Sequence, residues 1–355
     1  MTAPASGRSW FRRAWPWLKF VIGLALAGLA LWALTGRTGE LSGASHYLDH
    51  LRWWWLALAV AVEAGSLVAF AQVQKRLLDA GHVHVSTTRL TAVTVAATAI
   101  ANSMPAGPVV SAVFTFGQYR RRGADEGLAG WTLVAVFVAA SVTLALVAAV
   151  GVVVAGAEGA GLDLVGVTGA VFVAAIAMGA VFLQKRALVW SVSGLVRVTR
   201  RVSGWPRGEL ASHVDRIITR LTVVTLDLRQ VVAVVVWGVA NWVFDCGCLA
   251  LSFLAIGAGI PWRGLLLAYG AGQLAANLPI TPGGLGVVEG SLTIALVQFG
   301  GAEASTVAAV LLYRILSFWA ELPLGWATWA VLVWWGRSVP TPDELPAQVL
   351  KEVAS

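Results

Sequence analysis

The chain has 355 residues, of which 58% are hydrophobic and only 12% are charged, and its formal net charge is +7. Soluble domains carry about 25% charged residues, so a chain this apolar would expose large apolar patches in water. No polar stretch is long enough to hold a separate soluble domain. Composition therefore excludes an ordinary soluble protein and predicts an all-α polytopic membrane protein.

The N-terminal segment 1–19 is basic and precedes the apolar run 20–35, with no convincing small-residue cleavage site after it. We interpret the run as a retained first span rather than a signal peptide. The two cysteines, Cys246 and Cys248, lie in an apolar run without a nearby His. They are typical of packing residues, so we expect no metal site and no cofactor.

Ten apolar runs follow one another along the chain, and they differ in length. We interpret six as full transmembrane helices: 20–35, 53–71, 128–156, 164–183, 230–256 and 305–335. The other four form two adjacent pairs, each joined by a Pro/Gly turn: 90–104 with 108–118, and 264–278 with 284–299. Fifteen helical residues reach about 22 Å against a hydrocarbon core of about 30 Å. The sequence therefore predicts two re-entrant helical hairpins, at 90–118 and 264–299.

Charge supports a topology in which each pair of short runs returns to the side from which it entered, either as a re-entrant hairpin or as two full crossings; only length favours the hairpins. If each hairpin returns to the side from which it entered, the cytoplasmic segments hold 21 of the 25 Lys and Arg residues, as the positive-inside rule requires. Both termini are then cytoplasmic, in a multi-pass protein of the cytoplasmic membrane. The predicted organisation is a first membrane half 20–183, a linker 184–229, a second half 230–335 and a tail 336–355. The linker is a basic amphipathic helix at the surface of anionic lipid or a solvated connection between the halves.

The two hairpin turns resemble each other. The first contains Asn102, Pro105 and Gly107, and the second contains Asn277, Pro279, Pro282, Gly283 and Gly284. Proline stops a helix, and the backbone groups freed there must be buried or line a polar cavity. Similar elements that enter from opposite faces indicate an inverted repeat, in which broken helices converge on a substrate site.

Five ionisable residues lie within apolar runs: Glu63, Asp245, Glu289, Arg314 and Glu321. Each costs about 2.5–3.5 kcal/mol or more at a helix centre, so each should face the bundle interior. They form either a structural charge cluster or a polar path for an ionic headgroup, with Arg314 holding phosphate. Glu63 has no partner that the sequence identifies, and we expect it to be structural. Together with the turn residues, Asp245, Glu289, Arg314 and Glu321 are the predicted substrate-binding residues.

The run Asn277-Leu-Pro-Ile-Thr-Pro-Gly-Gly-Leu-Gly-Val-Val-Glu-Gly290 resembles the signature of the flippase-like transmembrane region of lysylphosphatidylglycerol synthetases and their stand-alone relatives. The resemblance implies lipid translocation between leaflets, with Pro279, Pro282, Gly283, Gly284 and Glu289 as matching positions. The soluble aminoacyl-transferring domain of the full synthetases has no counterpart, so we expect no synthesis of lysyl-lipid.

The favoured hypothesis is a lipid or lipid-linked-intermediate translocator, and not an enzyme. It is not driven by ATP through this chain, because the pattern GxxxxGK[ST] is absent. Its expected partners are membrane lipids with anionic headgroups, together with a second copy or an envelope-synthesis protein, and not nucleic acid. Two alternatives stay open: a lipid-modifying transferase that uses His46, Asp49 and His50, and a scaffold subunit that binds its partner through 184–229.

Overall fold

The computed structural model describes residues 51–104, 107–156, 226–276 and 282–336. The predicted spans 20–35 and 164–183, nearly all of the linker and the C-terminal tail lie outside the described residues. No strand occurs within the described ranges, which are almost wholly helical.

Nine α-helices occur in these ranges. They are α1 (Trp53–Ala80), α2 (Thr87–Ser103), α3 (Gly107–Arg120), α4 (Glu126–Gly156), α5 (Leu228–Ala255), α6 (Trp262–Ala276), α7 (Val287–Gln298), α8 (Glu303–Arg314) and α9 (Glu321–Gly336). A short 3-10 turn, Pro282–Gly284, precedes α7. A π-helical turn, Ile315–Trp319, joins α8 to α9, so these two helices form one interrupted rod.

Four helical stretches are long and apolar enough to cross a membrane: Trp53–Ala80, Glu126–Gly156, Leu228–Ala255 and Glu303–Trp334. Large apolar side chains such as Phe137 and Val153 are exposed on the outside of the bundle, where lipid rather than water is their natural solvent. The prediction of an α-helical membrane protein is thereby confirmed. The helices α2, α3, α6 and α7 have 17, 14, 15 and 12 residues.

Helices α1 and α5 form an antiparallel pair. The N–H of Arg52, just before α1, donates to the carbonyl of Ala255 at the end of α5 over 2.7 Å. Further along, Asn241 Nδ2 donates to Ser66 Oγ over 2.8 Å. Hydrogen bonds of this kind hold helices together in lipid, where apolar burial alone gives little driving force between them.

The helix α5 begins at a capping box. Asp227 caps the helix through its side chain, which accepts from the N–H of Leu228, while Gln230 Oε1 accepts from the N–H of Asp227 over 2.9 Å. Such reciprocal bonds satisfy backbone donors that the first helical turn leaves without partners. The cap thus fixes the start of α5, the first long helix described in the second half of the chain.

The remaining helices pack across the two halves in a reciprocal way. Helix α2 of the first half packs against α9 of the second, and α6 of the second half packs against α4 of the first. Small residues permit both approaches: Gly325 of α9 lies directly against Val95 and Ala99 of α2, and Gly151 of α4 lies against Leu267 of α6. Each of the short helices α2 and α6 therefore has its main neighbour in the opposite half.

We expect Gly151→Ala to destabilise the protein through the α4–α6 contact. A Cβ at this position would lie 2.7 Å from the backbone N of Leu267, and backbone cannot rotate away as a side chain can. The expected loss is about 1–3 kcal/mol, measured as a lower midpoint of thermal unfolding in detergent.

Gly117→Ala in α3 is the matched control for this substitution, because a Cβ there meets nothing within 4 Å. Alanine is favoured over glycine in a helix by up to about 1 kcal/mol, so the control should unfold at the same temperature as the unmodified chain or slightly above it. Equal midpoints for the two variants would contradict tight α4–α6 packing.

Candidate functional site

The two predicted helix breaks come together in the structure. Helix α2 ends at Ser103 and α3 begins at Gly107, while the turn Pro282–Gly284 separates α6 from α7. This turn packs against α2, and a Cβ built on Gly283 would lie 3.4 Å from the carbonyl oxygen of Asn102. Two elements about 180 residues apart in the chain thus meet at one place inside the bundle.

The second break depends on glycine. Gly283, Gly284 and Gly286 have φ values of +63°, +69° and +81°, which lie in the left-handed region that other L-residues avoid. At Gly283 a side chain would also overlap the ring of Phe318. The Gly-rich run therefore gives a tight turn that brings backbone close to the π-helical turn.

A buried ion pair closes this turn. Arg314 Nε donates to Glu289 Oε1 over 2.7 Å, and Arg314 Nη2 donates to the carbonyl of Gly283 over 3.1 Å. The Arg314 side chain is 9% exposed and that of Glu289 is 18% exposed. The guanidinium also lies over the Phe318 ring, 4.4 Å from its centroid, a favourable cation–π arrangement. The ion pair, the backbone break and the aromatic ring form one unit.

Glu289 has a second partner. Its Oε2 accepts from the N–H of Gly286 over 2.6 Å, so the carboxylate caps the first turn of α7 as well as pairing with Arg314. An acidic residue is favoured at a helix N-terminus. Glu289 thus connects the glycine turn, the start of α7 and the cation of α8.

A second polar group surrounds Asp245 of α5. Tyr269 Oη donates to its Oδ2 over 2.7 Å, Tyr313 Oη donates to its Oδ1 over 2.8 Å, and Gln273 Nε2 donates to Oδ2 over 3.1 Å. These donors come from α6 and α8, so the carboxylate joins three helices. Tyr313 directly precedes Arg314 in the chain, which places the two polar groups side by side.

Glu63 and Glu321 complete the site. The two carboxyl groups lie within hydrogen-bonding range of each other, and that of Glu63 also lies near the thiol of Cys248. Both residues are buried, with exposed fractions of 7% and 6%. The sequence suggested no partner for Glu63, whereas the structure places it against a predicted substrate-binding residue.

The structure thus brings together most of the predicted site residues that it describes. Gly107, with its N–H bonded to the carbonyl of Met104, begins α3 on the far side of the first break. Pro105, Asn277 and Pro279 lie outside the described residues, and only the backbone of Pro282 is described.

Four residues of the site were not among the predicted ones: Tyr269, Gln273, Tyr313 and Phe318. A signal for two of them exists in the sequence, because Tyr269 and Gln273 stand four residues apart within an apolar run and so share one helix face. Tyr313 and Phe318 carry no comparable signal. Their role follows only from how α8 and its π turn pack.

The comparisons with known proteins agree with this architecture. Residues 17–325 match the model of the family described as "Lysylphosphatidylglycerol synthase TM region". The chain belongs to this family. The match includes both helix breaks and every described residue of the site, so the family resemblance of the Asn277–Gly290 run extends over most of the chain. The family description and the apolar helices together show that the chain is a multi-pass membrane protein.

Two family-like relatives from Methanothermobacter thermautotrophicus are similar over shorter stretches. Each is described as a UPF0104 membrane protein. One is 33% identical over 87 residues, which are 24% of this chain and 25% of the relative. The other is 32% identical over 114 residues, which are 32% of each protein. The similarity thus spans no more than a third of either relative's length, and the names of these relatives describe no substrate.

Proposed function

We propose that the chain translocates anionic lipids, or lipid-linked intermediates, between the leaflets of the cytoplasmic membrane. The observation that carries this proposal is the buried Arg314–Glu289 pair, held at the meeting point of two helix breaks. A guanidinium binds phosphate with bidentate geometry, and an intramembrane cation of this kind is a functional-site candidate by default. Membership of a family named for a lipid synthase supports a lipid substrate.

The proposed topology has six transmembrane helices and two re-entrant hairpins in an inverted repeat. Four long helices and four short ones among the described residues support this count. Reciprocal packing supports the repeat, because α2 lies against α9 as α6 lies against α4. The excess of Lys and Arg in the predicted cytoplasmic segments supports cytoplasmic termini.

In the proposed mechanism, a headgroup phosphate competes with Glu289 for Arg314. The lipid phosphate enters between the breaks and accepts hydrogen bonds from the guanidinium, while the acyl tails stay in the surrounding lipid. Glu289 keeps its bond to the Gly286 N–H during this exchange and then returns to Arg314. Its return expels the phosphate, so the ion pair resets the site after each crossing.

Glu289→Gln tests this mechanism. A neutral amide competes poorly with phosphate, since hydrogen bonds between charged groups are roughly twice as strong as neutral ones. We expect the headgroup to stay bound and its crossing to slow by at least about tenfold, which corresponds to about 1.4 kcal/mol. The measurement is dithionite quenching of fluorescent phosphatidylglycerol in liposomes that contain the purified chain.

Glu303→Gln is the matched control, because Glu303 is exposed at the start of α8, whereas Arg314 lies at the other end of this helix. It should leave crossing unchanged. Binding of phosphatidylglycerol to Glu289→Gln should be as tight as to the unmodified chain or tighter. Unchanged crossing in a folded Glu289→Gln variant would remove Glu289 from the mechanism.

A further inference from the structure

The buried site contains more acidic groups than cations. Glu63, Asp245, Glu289 and Glu321 lie within it. Among the described residues, Arg314 pairs with Glu289, and its charge also acts on Asp245 and Glu321. Buried charges without a counterion cost several kcal/mol each, so the other three carboxyl groups cannot all be ionised in this environment.

Burial opposes a negative charge on all three carboxyl groups, and Asp245 is the one with several hydrogen-bond donors that offset part of this cost. It accepts hydrogen bonds from Tyr269, Tyr313 and Gln273, and the charge of Arg314 also acts on it. Three donors aimed at both oxygens satisfy an ionised carboxylate, which has only acceptor capacity. We therefore expect the protons of the site on Glu63 and Glu321 rather than on Asp245.

Glu63 and Glu321 are placed to hold these protons. An ionised carboxylate carries no donor, so two carboxyl groups in hydrogen-bond contact require at least one proton between them. Independently, Glu63 Oε2 is buried and has no hydrogen-bond partner, although the residue is only 7% exposed. An unsatisfied carboxyl oxygen in such surroundings is the place at which another proton binds.

The groups that face this pair come from two other helices. Asp245 and Cys248 face it from α5, Tyr313 from α8, and Arg314 acts on Glu321 from the end of α8. The pair is therefore within electrostatic reach of the proposed headgroup site. An anion that binds to Arg314 therefore changes the electrostatic potential at Glu321.

We propose that Glu63 and Glu321 form an exchangeable proton site, which holds one proton between the two carboxyl groups and takes up a second from water. With one proton the pair carries one negative charge, and with two it is neutral. Release of the second proton to water restores the first state, so the exchange needs no other reactant.

The consequence for transport rests on the proposed function. A lipid phosphate on Arg314 brings a negative charge next to Asp245 and Glu321. Uptake of one proton by the Glu63–Glu321 pair offsets that charge, so one anionic headgroup and one proton cross together. A pH difference across the membrane then drives the lipid toward the alkaline side, whereas a membrane potential has no effect on this neutral pair.

The proton site itself is tested by infrared difference spectroscopy on the full chain in lipid. The unmodified protein should show a protonated-carboxyl C=O band that titrates with pH and shifts on exchange into D2O. Glu63→Gln should remove or shift this band, and Glu321→Gln provides a second variant with the same expected result. A band unchanged in both folded variants would overturn the proton site, whether or not the chain moves lipid.

The coupling is tested in phosphatidylcholine vesicles that contain trace fluorescent phosphatidylglycerol. For one proton per lipid, a gradient of about one pH unit should shift the ratio of labelled lipid between leaflets by about tenfold in the unmodified chain. Glu63→Gln should lose this response, and Glu303→Gln should keep it. A full response in Glu63→Gln would contradict the coupling, and the absence of crossing without any gradient would contradict the proposed function instead.

Discussion

Arg314→Gln is expected to abolish translocation and to destabilise the fold. The substitution leaves Glu289 buried beside the carbonyl of Gly283 without its cation. Breaking a fully buried ion pair from one side costs about 3–5 kcal/mol, and the 18% exposure of Glu289 places this pair at or below the lower end of that range. The loss should appear as a lower unfolding midpoint in detergent, and phosphatidylglycerol crossing should fall to the rate of protein-free liposomes.

The double variant Arg314→Gln with Glu289→Gln separates the two effects. Two neutral amides need no counterion, and replacement of a whole buried pair is often close to neutral for stability. We expect the double variant to recover most of the lost stability and none of the transport. Recovery of both would show that the pair is a structural charge cluster, the alternative that the sequence left open.

Gly283→Ala is expected to have the second-largest effect. The residue has a φ of +63°, where a side chain costs about 1–2 kcal/mol, and its Cβ would overlap the Phe318 ring on which Arg314 stacks. The π turn must move to admit the methyl group. Both the unfolding midpoint and the crossing rate should fall, and the crossing rate should fall further because Arg314 is displaced.

Gly290→Ala is the control within the same Gly-rich run. It lies inside α7, and a Cβ there meets nothing within 4 Å. Stability and crossing should both stay at the level of the unmodified chain. Equal behaviour of Gly283→Ala and Gly290→Ala would contradict the view that the turn positions Arg314.

The positions of the helix breaks could be predicted from the sequence, because proline and glycine act on the backbone locally. The run Asn102 to Gly107 predicted where α2 ends, and α2 does end at Ser103. The run Pro279 to Gly284 predicted the second break, which contains the turn Pro282–Gly284 before α7. The long apolar helices were accessible for the same reason, since apolar length alone decides whether a helix can cross a membrane. The extension of α1 to Ala80, nine residues past its apolar run, was not predicted.

The pairing of side chains within the site could not be predicted from the sequence, because it depends on which helices pack together. Arg314 and Glu289 stand 25 residues apart, and Glu63 lies 258 residues before Glu321. Composition indicated that such residues must face the interior, yet it could not pair them. The packing of α1 against α5 and against the π turn before α9 brings Glu63 near Asp245 and Glu321. Glu63, which has no partner in the sequence pattern, thus lies beside a second carboxyl group.

An experimental structure of the chain in nanodiscs of phosphatidylglycerol tests the proposed lipid site most directly. We expect a lipid phosphate within hydrogen-bond distance of the Arg314 guanidinium, between Asn102 and Gly283, with Glu289 turned away from Arg314 and still bonded to the Gly286 N–H. Headgroups bound only at the outer surface of the bundle, with the Arg314–Glu289 pair intact and the breaks closed to lipid, would contradict it.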